Sequence, residues 1–157
     1  ARILLRQRQD LLFVLIGEGD MRQELEGMVA SSGLQHAFRF IGAVYDEAVL
    51  SRWYLCADVF VVPTCIGLSA HHAMSYGVPV VTDDSLDSQA SEFDIIADGL
   101  NALTYREGDV QSLADAITSL TTDAALRATL AINALRTIEL RHNVLNKALN
   151  FFNSNTP

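Results

Sequence analysis

Two stretches of this chain hold residues whose type and spacing could do chemistry. The first is Gly17-Glu18-Gly19-Asp20, set between an apolar run and a helical pattern. Glycines there leave backbone amides free of side-chain bulk, and such amides at a helix N-terminus can face a phosphate. The third glycine of a dinucleotide fingerprint is absent, because Arg22 stands at its position, so a nicotinamide or flavin site loses its main support. A tight strand-to-helix turn explains the same four residues without any ligand.

The second stretch is residues 63–81, PTCIGLSAHHAMSYGVPVV, which reads as a strand end, a glycine turn, a short helix and a second strand. Ligands of parallel sheets sit beyond the carboxyl ends of the strands. The turn Ile66-Gly67-Leu68-Ser69 would therefore present backbone amides and a hydroxyl at the mouth of that crevice. His71 and His72 are helical neighbours about 100° apart and do not converge on one metal from a single face. Packing is the better reading of His71, while His72 fits either a packed histidine or a ligand contact. Cys56 and Cys65 lie in apolar surroundings without metal-ligand spacing, and are expected as buried free thiols in a reducing compartment. No metal site is expected.

The elements that would position these residues follow from the hydrophobic pattern. Apolar runs with strand character recur at 11–16, 38–41, 59–62, 78–81 and, more weakly, 103–105. Helical patterns lie between and after them at 20–31, 46–56, 68–76, 89–97 and 110–120, with polar-faced helices from 123 onward. Gly33 and Gly77 stand where helices should end, and Asp109 where one should begin. Alternating strands and helices predict an α/β domain with a parallel sheet, and continuous apolar runs suit strands covered on both faces. Residues 1–9 read as the end of a helix with Leu4 and Leu5 inward, and the tail at 153–157 should fray. Trp53, Tyr54 and Met74 fall at apolar helix positions and are expected in the core.

Composition narrows the function classes. The 157 residues fit one ordinary domain, and half of them are apolar, as in a globular protein. A net charge of −8, with eleven scattered Lys and Arg, opposes binding to nucleic acid or to an anionic membrane surface. A small anion held by backbone amides is still compatible with that charge. The apolar runs are too short for a membrane span, and a cytoplasmic setting is expected.

Five blocks, LIGEGDMRQELE, FRFIGAVYDEAVLSRWYLCADVFVVP, GLSAHHAMSYGVPVVT, SEFDIIADGLNAL and GDVQSLADAI, occur in this order. Together they resemble the C-terminal, donor-binding domain of the glycogen-synthase-like, group 1 (family four) retaining glycosyltransferases. The resemblance implies a Rossmann-like half of the two-domain GT-B fold and a UDP- or GDP-linked sugar as donor, with no further cofactor. It implies that Gly17 and Gly19 border the donor pocket and that Val44 and Tyr45 lie in the loop along the nucleobase. Ile66, Gly67, Leu68 and Ser69 would meet the sugar and diphosphate. The family sets one glutamate against the transferred sugar and another against the ribose; here Thr64 stands at the first position and His72 at the second. Glu92 matches a family glutamate beside the crevice, although a carboxylate near a helix N-terminus is favourable without any ligand.

The resemblance also implies parts outside this sequence. The basic pair that neutralises the departing diphosphate follows the domain's first strand, so the chain is expected to begin beyond that strand. The strand at 11–16 is then expected to have one open or irregular edge. Catalytic residues are not assigned, and the acceptor would belong to a separate N-terminal domain. That domain could bring the enzyme to the inner face of a membrane. Two other readings stand beside it: a noncatalytic nucleotide-sugar-binding or regulatory module, and a fragment of a GT-B epimerase or phosphorylase.

Overall fold

The computed structural model describes residues 1–85 and 91–142. The chain divides into two compact units, Ala1–Trp53 and Tyr54–Pro157. Both are built from parallel strands and helices.

In the first unit, α1 (Arg2–Gln7) buries Leu4 and Leu5, the two residues expected on its inner side. Strand β1 (Phe13–Ile16) is followed by α2 (Arg22–Ser31) and then by β2 (Phe38–Gly42), which pairs with β1 in parallel. The register places Phe13 against Phe38, and their rings stack with centroids 4.9 Å apart. Aromatic pairs of this kind add to the pairing beyond simple area burial. The ladder shifts register between Leu15 and Ile16. Among the described residues β1 pairs only with β2, matching the expected open edge. The expectation of full helical cover is not met here: α2 buries no residue, and Met21, Leu25 and Met28 along its length are exposed.

Helix α3 (Glu47–Leu55) leads from the first unit into the second. There β3 (Phe60–Val61), β4 (Val80–Asp83) and β5 (Ala102–Tyr105) form a parallel sheet in the order β3-β4-β5. Among the described residues pairing therefore falls into two sheets of two and three strands rather than one ladder, and the parallel direction holds in both. All four residues of β4 are buried, as a central strand covered on both faces requires.

Helix α4 (Leu68–Ser75) connects β3 to β4 and buries Ala70, Ala73 and Met74. A short 3-10 turn, Ser91–Ile95, precedes β5. The start of the helix predicted at 89–97 lies outside the described residues, as does the predicted frayed tail. Helices α5 (Val110–Thr122) and α6 (Ala124–Thr137) then follow in the second unit, and a short π-helical segment, Ile138–His142, continues from α6.

These two helices start where their caps dictate. The Asp109 carboxylate accepts from the amides of Gln111 and Ser112, both at 3.0 Å, and Asp123 accepts from Leu126 at 2.9 Å. Each acid satisfies donors that the helix itself leaves without an acceptor. Ala114, Ile117 and Leu120 then bury one stripe of α5. Asn101, fully buried, accepts from the Ala97 amide and donates to the Ile95 carbonyl and the Thr137 hydroxyl, tying the loop before β5 to α6. No helix among the described residues is long and apolar enough to cross a membrane.

Candidate donor site

Each unit carries part of the predicted site at the carboxyl end of a strand. In the first, β1 ends at Ile16 and the chain turns through Gly17, whose φ of 142° belongs to glycine. The Gly17 amide donates to the Gly42 carbonyl at 2.9 Å, and the Arg22 amide closes the turn on the Gly19 carbonyl at 3.0 Å. Space around Gly17 and Gly19 is open, since a side chain at either would meet nothing within 4 Å.

The Arg22 guanidinium pairs at the surface with Glu18 on one side and with Glu26 at 2.9 Å on the other. Glu26 lies four residues on in α2, the spacing at which helical side chains meet, while Glu18 reaches the guanidinium from the turn before the helix. Glu26, then Glu18, hold the guanidinium above its ordinary pKa, against a smaller loss from burial. The Glu18 carboxylate in turn rests on Gly42, where an added Cβ would lie 2.9 Å from its Oε1. Gly42 has a φ of 86°, a conformation that favours glycine. Beyond it, Val44 is half-buried and Tyr45 is 96 % exposed.

In the second unit, the turn after β3 lifts Pro63, Thr64 and Cys65 into solvent before α4 begins. Cys65 has a φ of 54°, the only positive value among the described non-glycine residues. The next residue reverses direction: the Ile66 side chain is fully buried and roots the turn in the core. Gly67 is the cap residue of α4 and supplies no capping side chain, so the helix's first amides have no side-chain acceptor. Leu68, Ser69 and His72 are exposed on that helix.

Thus Thr64, Leu68, Ser69 and His72 lie at the turn and along α4 with their side chains accessible, while Ile66 is fully buried. The Glu92 side chain lies outside the described residues. Among the described residues no three His, Cys, Asp or Glu cluster as a metal would need.

Several neighbouring expectations also meet the structure. Met74 is fully buried and Tyr54 is buried, whereas Trp53 and His71 are partly buried. The two cysteines overturn the thiol reading: Cys56 and Cys65 are both exposed. Cys56 follows the last residue of α3, and Cys65 occupies the outermost part of the turn, so neighbouring apolar residues turn inward without them.

Sequence reading missed two hydroxyl contacts at this turn. Tyr105, closing β5, donates to the Pro63 carbonyl at 2.5 Å, and Tyr54 donates to the Ser69 carbonyl at 3.4 Å. A tyrosine ending a buried strand was the available signal, because a buried phenol needs a partner for its hydroxyl.

A concavity in the first unit holds none of the predicted residues. Its volume is about 480 Å³, and it is lined by Arg2, Leu5, Arg6, Gln9, Leu34 and His36. It lies where β1 and β2 begin, at the opposite end of those strands from Gly17 and Gly42.

Comparison with known proteins bears on the family and the fold. Residues 1–123 match the profile of the family described as "Glycosyl transferases group 1". The chain is 29% identical over 135 residues to an uncharacterized glycosyltransferase of Methanocaldococcus jannaschii, covering 84% of this chain and 33% of that protein. It therefore spans about a third of that curated relative's length. The C-terminal domain of a group 1 family glycosyl transferase (LpcC) from Francisella tularensis superposes with a TM-score of 0.76 at 27% identity, over 90% of this chain and 75% of that one. A mutant of S. aureus TarM, solved with Fondaparinux, alpha-GlcNAc-glycerol and UDP, superposes with a TM-score of 0.82 at 23% identity, over 98% of this chain and 31% of that one. With parallel sheets flanked by helices, half of a GT-B fold, and a family match over most of its length, the chain belongs to the group 1 glycosyltransferases as a C-terminal domain.

Proposed function

We propose that this chain is the donor-binding domain of a retaining glycosyltransferase and that its ligand is a UDP- or GDP-linked sugar. A single domain of this kind would work with an N-terminal acceptor domain and pass the sugar to a glycan, a lipid or a small acceptor on the cytoplasmic side. The observation that carries the reading is the head of α4, where Gly67 offers no side-chain cap to the Leu68 and Ser69 amides, beside the exposed Thr64 and Ser69 hydroxyls. Uncapped amides and the positive end of the helix dipole suit a diphosphate. The S. aureus relative solved with UDP supports the choice of ligand.

The protein's part in transfer would be to position the donor and stabilise charge developing on the leaving diphosphate. Within this chain the amides and hydroxyls at residues 64–69 do that work, and Thr64 and His72 meet the sugar and ribose in place of carboxylates. Tyr45, Val44, Gly17 and Gly19 line the nucleoside side, and Glu92 completes the set.

Gly67→Asp tests this directly. The Gly67 backbone is extended, with a φ of −131°, and a Cβ there meets nothing within 4 Å, so aspartate fits. Its carboxylate would cap the helix, a substitution worth only a few tenths of a kcal/mol or favourable. It would also occupy the amides and repel phosphate. Calorimetric titration of the full-length gene product with UDP, GDP and their sugars should show affinity falling more than about tenfold, the factor for ~1.4 kcal/mol, with melting temperature unchanged or raised. Undiminished binding in the variant, or no binding of any nucleotide by the unaltered protein, overturns the proposal. A noncatalytic binding module is the second reading, favoured by Thr64 and His72 standing at the two glutamate positions; it predicts nucleotide binding without sugar transfer.

A further inference from the structure

The turn between β3 and α4 is held at both ends by hydroxyls that come from outside it. At its start, Tyr105 reaches from the end of β5 to the Pro63 carbonyl at 2.5 Å. Since β4 lies between β3 and β5, this contact spans the central strand of the sheet. Tyr105 is only 7% exposed, and its register partner is Asp83.

Just past the turn, Tyr54 donates to the Ser69 carbonyl at 3.4 Å. The Tyr54 ring stacks on Tyr76 with centroids 5.4 Å apart and meets His72 edge-on at 6.3 Å, so one side chain touches three positions of α4 and its end. Between these two anchors lies Cys65, in the left-handed region that a side chain disfavours. A backbone conformation of that kind persists only where its surroundings hold it. The buried Ile66 side chain roots the middle of the turn, and the two tyrosine hydroxyls bond carbonyls on either side of it.

We propose that Tyr105 and Tyr54 are positioning residues that hold the 63–69 turn in the shape that admits a nucleotide diphosphate. Tyr105 is the stronger, having the shorter bond. The inference rests on the donor-site reading of this turn, and it adds two residues that touch no ligand. Removing either hydroxyl while keeping the ring should change ligand affinity more than it changes the fold.

The test uses Tyr105→Phe and Tyr54→Phe in the full-length gene product. Calorimetric titration with UDP, steady-state kinetics with a UDP-sugar, and thermal unfolding are read together. Tyr105→Phe should raise Kd and KM about three- to tenfold, the worth of one ordinary hydrogen bond, leaving kcat within about twofold; Tyr54→Phe should do the same to a smaller extent. A third readout needs no ligand: in a Cys56→Ser background, the rate of alkylation at Cys65 should change in Tyr105→Phe, because the thiol sits inside the turn.

Wild-type affinity together with an unchanged alkylation rate overturns the inference. So does a loss of affinity no larger than a general loss of stability explains. If the unaltered protein binds no nucleotide, the donor reading falls, and the alkylation rate alone then decides whether the tyrosines hold the turn.

Discussion

Asn101 shows what a single polar side chain does inside the second unit. Its amide group accepts from the Ala97 N–H and donates to the Ile95 carbonyl and the Thr137 hydroxyl, each at 2.9 Å. Asn101→Leu would take this partner from the Ala97 N–H and from the buried Ile95 carbonyl, while the Thr137 hydroxyl keeps its bond to Asn133, and a buried unsatisfied group costs about 1–3 kcal/mol. A fall in the denaturant midpoint with unchanged slope should record that loss. Gly42→Ala should destabilise the first unit by about 1–3 kcal/mol, because the position has a φ of 86°, whereas the Glu18 carboxylate beside it can swing aside.

Tyr105 makes a pH prediction at the same scale. Burial first, then the nearby Asp83, Glu107 and Asp84 charges, push its phenol above the usual value. A group held protonated in the folded state contributes stability that is intact below its unfolded pKa and lost as pH rises toward the folded one. Stability should therefore decline on the alkaline side of about pH 10, and this component should vanish in Tyr105→Phe, as followed by tyrosinate absorbance. Gly17, Gly67 and Ser69 could be read from sequence because turn geometry constrains residue type locally. The Glu18–Arg22–Glu26 pairing and the exposure of both cysteines could not, since each depends on where a side chain points once the turn has formed.

At the scale of elements, boundaries followed from caps wherever a side chain enforces them. Asp109 and Asp123 begin α5 and α6 through hydrogen bonds that the sequence announces. Asp109→Ala should lower stability by about 1 kcal/mol, measurable as a shift of the thermal midpoint. Gly77 ends α4 with a φ of 70°, and a Cβ added there would come within 3.2 Å of Leu135 Cδ1 on α6. The predicted strands all formed, yet β3 shrank to two residues, Phe60–Val61, because its ladder with β4 pairs only there. Apolar runs locate strands, but pairing partners decide how much of each run is counted into the ladder. The partial cover of the first sheet was likewise not legible, because the pattern of α2 gives an apolar side without saying what meets it.

On the scale of the whole molecule, the parallel α/β class was readable from alternation alone, while the division of pairing into two sheets depends on contacts far apart in sequence. Among the described residues β1 is paired along one side only. Its unpaired amides and carbonyls make a template for intermolecular strand addition. Residues 1–157 expressed alone should therefore self-associate with rising concentration, measurable by light scattering, and should not transfer sugar. The two thiols add a covalent counterpart. With Cys56 and Cys65 both open to solvent and no disulfide between them, aerated stocks should accumulate dimers that a reducing agent dissolves, and a preparation kept without one would carry an oxidised sulfur in the turn proposed to receive the donor.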